Sequence, residues 1–182
     1  MRLILFAALA LAVLLSAVAL RAQSSSTAAE QKLPSVGEVA PTFTLPTQDG
    51  SPLSLASQRG HWVVLYFYPK DKTPGCTIEA HNFQRDLAEF TKRNAVILGV
   101  SLDSAASHQS FCSKESLTFH LLADTEHTVT SLYGSLGSFA LIKIANRNTF
   151  LIAPDGKIAK IWTGVSVQHH SEEVLAAIDA LK

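Results

Sequence analysis

The chain has 182 residues, and its 15 basic and 15 acidic side chains balance to no net charge. That length suits one domain with a sizeable core, and the balance excludes a strongly basic nucleic-acid binder and an acidic disordered tail. Nine glycines and two cysteines exclude a collagen-like repeat and a disulfide-dense scaffold, and Cys76 and Cys112 cannot by themselves build a paired-cysteine zinc site.

Residues 1–20 hold much of the apolar content. Arg2 precedes an apolar stretch from Leu3 to Leu20, and Ala17-Val18-Ala19 forms an A-x-A-like cleavage site. Residues 1–22 therefore read as a secretory signal peptide, with an uncleaved membrane anchor through residues 3–20 as the rival. Either reading places the protein in the periplasm or outside the cell. Residues 23–32 are small and polar and read as a flexible linker, so the folded domain is expected over 33–182. Disulfides persist in such compartments, so the two cysteines suggest one structural bridge or a redox pair.

Trp62 to Tyr68 is an unbroken apolar and aromatic run ending at Pro69, which predicts a buried central strand. Ala80, Phe83, Leu87 and Phe90 recur at helical spacing and predict one helix after it. Ala95 to Val100 is a second buried strand. Helices are predicted over 105–115 and 126–133. Thr149 to Ala153 and Ile158 to Trp162 flank Pro154-Asp155-Gly156 and read as a hairpin. Val174, Leu175, Ile178 and Leu181 mark the buried face of a terminal amphipathic helix. Strand–helix–strand order with apolar strands predicts an α/β fold around a mixed sheet.

The chemistry gathers between the first strand and the first helix. Thr73 followed by Pro74 reads as N-cap and first helical residue, which puts Cys76 in the first turn. A sulfur there lies near unpaired backbone N–H groups and the positive end of the helix dipole, and both favour the reactive thiolate. A lone cysteine is often just a small buried hydrophobe. Its Pro and Gly neighbours, in an exposed turn at the carboxyl end of a strand, favour the reactive reading.

The segment YFYPKDKTPGCTIEAHNF, residues 66–83, resembles the active-site segment of peroxiredoxins, and in particular the bacterioferritin comigratory protein or peroxiredoxin Q branch. Residues 37–46, 99–111 and 147–162 resemble three further family segments in the same order. The resemblance implies a thioredoxin-like fold with added N-terminal strands. It implies that Cys76 is the peroxidatic cysteine, whose thiolate attacks the terminal peroxide oxygen to give a sulfenic acid and water or an alcohol. It gives Thr73 the hydroxyl that bonds peroxide and thiolate, Pro69 the shield of the pocket, and Arg147 the guanidinium beside the sulfur. Without the resemblance, Arg147 reads as a surface arginine opening a strand. Glu79 reads equally as part of the matching Cys-Thr-x-Glu-Ala string or as a first-turn acid favoured by the dipole.

Many members of the branch carry a resolving cysteine five residues after the peroxidatic one, where this chain has His81. Cys112 matches the variant with that cysteine in the following helix. The resemblance thus implies a Cys76–Cys112 disulfide reduced by a thioredoxin-like protein, and an unwinding of the first helical turn to close it. The alternatives are a one-cysteine peroxidase and a secreted binding module with a structural disulfide. A thioredoxin-type oxidoreductase is disfavoured because Thr73 stands where its first cysteine would be. No haem, flavin or metal is required; the His169-His170 pair has no third ligand at a metal-site spacing. Basic residues do not cluster, so no nucleic-acid partner is expected, and the protein is expected to be a monomer.

Overall fold

The computed structural model describes residues 32–181, so the leader expected over 1–22 and all but the last residue of the linker lie outside the described residues. In chain order the elements are β1 (Thr44–Pro46), β2 (Pro52–Ser54), a short 3-10 turn (Leu55–Gln58), β3 (Trp62–Phe67), α1 (Pro74–Arg85), α2 (Leu87–Lys92), β4 (Ala95–Ser101), α3 (Ala105–Glu115), β5 (His120–Ala123), α4 (Thr128–Leu132), β6 (Leu136–Phe139), β7 (Ile142–Ala145), β8 (Asn148–Ile152), β9 (Ile158–Thr163) and α5 (His170–Leu181).

All six residues of β3 are buried, because this strand is covered on both faces and flanked on both edges. The central sheet runs β5-β4-β3-β8-β9. Strands β3, β4 and β5 are parallel, while β8 and β9 are antiparallel to their neighbours. Side chains alternate across the sheet. Val64 and Tyr66 face a layer holding Phe83 of α1, Phe90 of α2, Phe111 of α3 and Val174 and Ile178 of α5. Val63, Leu65 and Phe67 face the other layer, with Val129, Tyr133, Phe150 and, from the N-terminal segment, Leu45 and Leu55. This mixed sheet with flanking helices is the thioredoxin-like arrangement expected, and the β1–β2 hairpin supplies the added N-terminal strands.

A Cβ on Gly99 of β4 would stand 2.7 Å from the Tyr66 ring and 2.7 Å from Leu121. Glycine there makes room for the Tyr66 ring, which packs on Phe83 at 4.8 Å between centroids.

The elements differ from expectation in several places, and β5 of the central sheet was not among the expected strands. The helix predicted through Phe90 is two helices, because the backbone at Asp86 leaves helical geometry (φ −94°, ψ 4°) while its carboxylate accepts bonds from Arg85 and from Ser171 of α5. The kink spans one residue, so the apolar spacing survives it. The helix predicted over 126–133 is shortened to Thr128–Leu132, because the Asp124 carboxylate accepts the N–H groups of Thr128, Val129 and Thr130 and so sets its start. Leu181, placed on the buried face, is 48% exposed because α5 overruns the core at its last turn. The β6–β7 hairpin had no apolar alternation strong enough to announce it, and it leaves Phe139, Leu141 and Ile142 exposed.

Phe150 is fully buried, with its ring 5.0 Å from Tyr133 and 5.8 Å from Phe67. Phe150→Ala should cost about 3–5 kcal/mol in urea unfolding, whereas Leu141→Ala, at a fully exposed position, should change stability by less than about 0.5 kcal/mol. A loss below about 1 kcal/mol for Phe150→Ala would contradict the close packing of this layer.

Candidate active site

The chain leaves the carboxyl end of β3 through residues 68–73 and enters α1 at Pro74, with Thr73 in extended N-cap geometry (φ −82°, ψ 149°). Cys76 is therefore the third helical residue, as expected. The Thr73 hydroxyl does not cap the helix. The loop turns back at Lys72, which has a positive φ of 61°, and the hydroxyl donates to the Lys70 carbonyl at 3.0 Å. Among the described residues the first-turn N–H groups of Gly75 and Cys76 have no protein acceptor, so they stay free as donors at the helix start.

Cys76 is a free thiol and only 2% exposed. The exposed turn read from its Pro and Gly neighbours is thus covered at the sulfur. The cover includes Arg147, which sits in the two-residue link between β7 and β8. Because β8 runs antiparallel to β3, with Thr149 opposite Tyr66, the start of β8 falls beside the end of β3 and the active-site loop. The Arg147 guanidinium then places Nη2 3.2 Å from Cys76 Sγ. A Cβ on Gly75 would lie 3.0 Å from that same Nη2, so glycine permits the close approach. Arg147 is a partly buried member of the site, and the surface reading of it is corrected.

Of the two readings of Glu79, the first-turn acid falls, since the first turn of α1 holds no acidic residue. Glu79 is 1% exposed and accepts a short bond from Arg147 Nη1, so it is a buried counter-ion that orients the guanidinium. Burial pushes its carboxyl up to about 7, with Arg147 pulling the other way, and its Oε1 has no protein partner. Only its place in the Cys-Thr-x-Glu-Ala string had hinted at this. Pro69 is half-buried and lines a groove with Leu102, Asp103, Ile142 and Ile144.

Cys112 lies on α3, free and 7% exposed, in the same packed cluster as Cys76, Tyr66, Tyr68 and Phe111. Burial and the charge of Asp71 push its thiol up to about 11. His81, at the position of the absent cysteine, reaches Glu115 of α3 at 3.0 Å. His170 is buried, with Nε2 2.8 Å from Thr149 Oγ1 and its ring edge-on to Trp162, while His169 faces solvent; the two do not converge.

A second polar cluster went unread in the sequence. The Asp71 carboxylate, in the active-site loop, accepts bonds from the hydroxyls of Tyr68 (2.7 Å) and Ser107 (2.7 Å) and from His108 Nδ1 (2.9 Å). Its N–H donates to Asp103 at 2.9 Å, and Lys72 reaches Ser110 at 3.0 Å. The loop ahead of Cys76 is thereby tied to the helix of Cys112. Nothing in the spacing of Asp71 and His108, 37 residues apart, announces the pair.

Residues 36–161 match the AhpC/TSA family. The chain belongs to that family of peroxiredoxins. Peroxiredoxin Bcp of Xanthomonas campestris is 41% identical over 153 residues, spanning 78% of this chain and 92% of that one. A serine variant of Xylella fastidiosa PrxQ superposes with a TM-score of 0.79 at 34% identity, covering 82% of this chain and 98% of the other. A Xanthomonas campestris bacterioferritin comigratory protein, described for its alkyl peroxide reduction activity, superposes with a TM-score of 0.73 at 37% identity over 76% of this chain and 91% of its own. The chain is accordingly a thiol peroxidase.

The Glu79 carboxyl ionises in the unfolded chain near the ordinary 4.5 but in the fold only near 7. Between those values the folded state binds the extra proton, so stability falls as pH rises from 4.5 to 7. Glu79→Gln should remove this part of the pH dependence of the urea midpoint. An unchanged slope would show that the carboxyl is ionised in the fold throughout.

Proposed function

We propose that the protein reduces hydrogen peroxide and organic hydroperoxides through a Cys76 sulfenic acid, resolved by Cys112. The observation that carries this reading is the Arg147 guanidinium 3.2 Å from the Cys76 sulfur at a helix start with free N–H groups. A fixed cation favours the thiolate, and donors already in place stabilise the charge that grows on the leaving oxygen. The thiolate attacks the terminal peroxide oxygen. An S–O bond forms as the O–O bond breaks, and the departing hydroxide or alkoxide takes a proton to leave as water or alcohol. Thr73 and Pro69 shape the approach of the peroxide. The alkyl peroxide reduction described for the Xanthomonas campestris relative supports including organic hydroperoxides.

The sulfenic acid then condenses with the Cys112 thiol, releasing water and leaving a disulfide that a thioredoxin-like dithiol protein reduces. Burial of both cysteines in one cluster supports this pairing. The apolar run at residues 3–20 supports placing this reaction in the periplasm or outside the cell, with the leader cleaved or retained as a tether.

Cys76→Ser should abolish peroxide consumption, and Arg147→Met should lower kcat/KM by roughly 10²-fold or more, the scale of losing one transition-state donor. Peroxide turnover by Cys76→Ser at the parent's rate would refute the mechanism. Cys112→Ser should still consume one equivalent of peroxide but lose recycling by thioredoxin and accumulate overoxidised Cys76, read by mass spectrometry. Undiminished recycling would favour a one-cysteine enzyme.

A further inference from the structure

The resolving step has a chemical requirement that the peroxide step does not meet. Cys112 must lose its proton to attack the Cys76 sulfenic acid. Its thiol is held protonated by burial and by the nearby Asp71 charge, at about 11, so roughly one molecule in 10⁴ carries the thiolate at pH 7. A proton acceptor inside the cluster would lift this restriction.

His108 has the placement for it. Its side chain is fully buried, and it lies one helical turn before Cys112, on the same face of α3. Side chains at i and i+4 stand about 5–6 Å apart at Cβ, so His108 and Cys112 are neighbours on that face. Nδ1 of His108 lies 2.9 and 3.1 Å from the two oxygens of Asp71. Asp71 stays ionised: burial works to raise its carboxyl, but the bonds from His108, Ser107 and Tyr68 outweigh burial and hold it below the ordinary value. With Nδ1–H turned to Asp71, the neutral form of the ring carries its lone pair on Nε2. Nε2 is buried with no protein hydrogen-bond partner, one of two buried side-chain polar atoms so placed among the described residues.

The geometry points to His108 as the general base of the resolving half-reaction, with Asp71 as its positioning residue. This inference rests on the reading of Cys112 as the resolving cysteine. In the step, Nε2 takes the proton from Cys112 Sγ and the thiolate attacks Cys76 Sγ. The S–S bond forms as the S–O bond of the sulfenic acid breaks. The imidazolium returns its proton to the departing hydroxide, which leaves as water. Cys112 is oxidised and Cys76 reduced by the same electron pair, so no further reactant is needed. Asp71 stabilises the imidazolium while it exists, and the Tyr68 and Ser107 bonds keep the carboxylate in place.

The charged and titratable groups around the pair are Tyr66 from β3, Tyr68, Asp71 and Lys72 from the loop after it, Cys76 and Glu79 from α1, Asp103 ahead of α3, and Cys112 on α3 itself. Of these only Tyr68 and Asp71 bond the ring. Burial holds both tyrosine hydroxyls well above their ordinary range, so they remain neutral.

The test is a single-turnover measurement on the full chain. One equivalent of hydrogen peroxide is added, and decay of the sulfenic acid into disulfide is followed by quenched-flow mass spectrometry from pH 6 to 9. His108→Gln should lengthen the sulfenic acid lifetime roughly 10²-fold at pH 7. Without the base, resolution should depend on the thiolate of Cys112 alone and speed up about tenfold per pH unit between pH 7 and 9, a steeper rise than the parent's. Asp71→Asn, which keeps the side-chain shape but removes the charge, should slow resolution with the same change of profile, and it carries the test if His108→Gln does not fold. A purely structural role would lower the rate by one factor at every pH and leave the profile's shape unchanged, which overturns the inference. So would resolution within threefold of the parent in either variant. Cys112→Ser separates the two readings. If it recycles with thioredoxin like the parent, the resolving role and this inference fall together. If it traps the sulfenic acid while His108→Gln resolves at the parent's rate, only this inference falls.

Discussion

One guanidinium sets the terms for the rest of the site. Arg147 must reach a sulfur on one side and a buried carboxylate on the other, from a link two residues long. That reach requires β8 to pair antiparallel with β3, since only then does the start of β8 meet the end of β3. It requires no side chain at Gly75. It also requires Glu79 to be buried, which is costly for a carboxylate and is offset by the paired cation. Sheet order, a glycine and a strained protonation equilibrium thus follow from the placement of a single positive charge.

The second constraint is that the two cysteines start in the same packed layer but on different helices. Packing protects both thiols from solvent. The same packing holds them in reduced positions, and the loop-to-helix bonds through Asp71, Ser107, His108, Lys72 and Ser110 add to that hold. Local opening is therefore set against a defined group of contacts, mostly at the amino-terminal end of α3. On the far side of the layer, His81 to Glu115 and Gln84 to Thr118 join α1 to the carboxyl-terminal end of α3 and the residues after it.

Strands β3 and β4 were legible because their apolar runs are unbroken, and the late hairpin because its strands flank Pro154-Asp155-Gly156. Asp86 and Asp124 were not legible as boundary residues. Each acts through its carboxylate on partners that only the fold brings near, and Ser171 lies 85 residues from Asp86. The position of Cys76 followed from Thr73-Pro74 alone. Arg147 could be assigned only through the family resemblance, since nothing local ties residue 147 to residue 76. The Asp71–His108 pair stayed hidden for the same reason: an acid and a histidine 37 residues apart carry no spacing signal, and their partnership exists only once β3 and β4 lie side by side.

The space above Gly99 has a consequence for how this sequence can change over time. The Tyr66 ring fills it, and that ring packs in the same cluster as both cysteines. A methyl group at 99 leaves the ring no room, and a smaller residue at 66 leaves a void beneath the reactive sulfurs. Neither position tolerates drift alone. A change at one therefore has to be matched by a change at the other, and the two act as a single packing unit under the site.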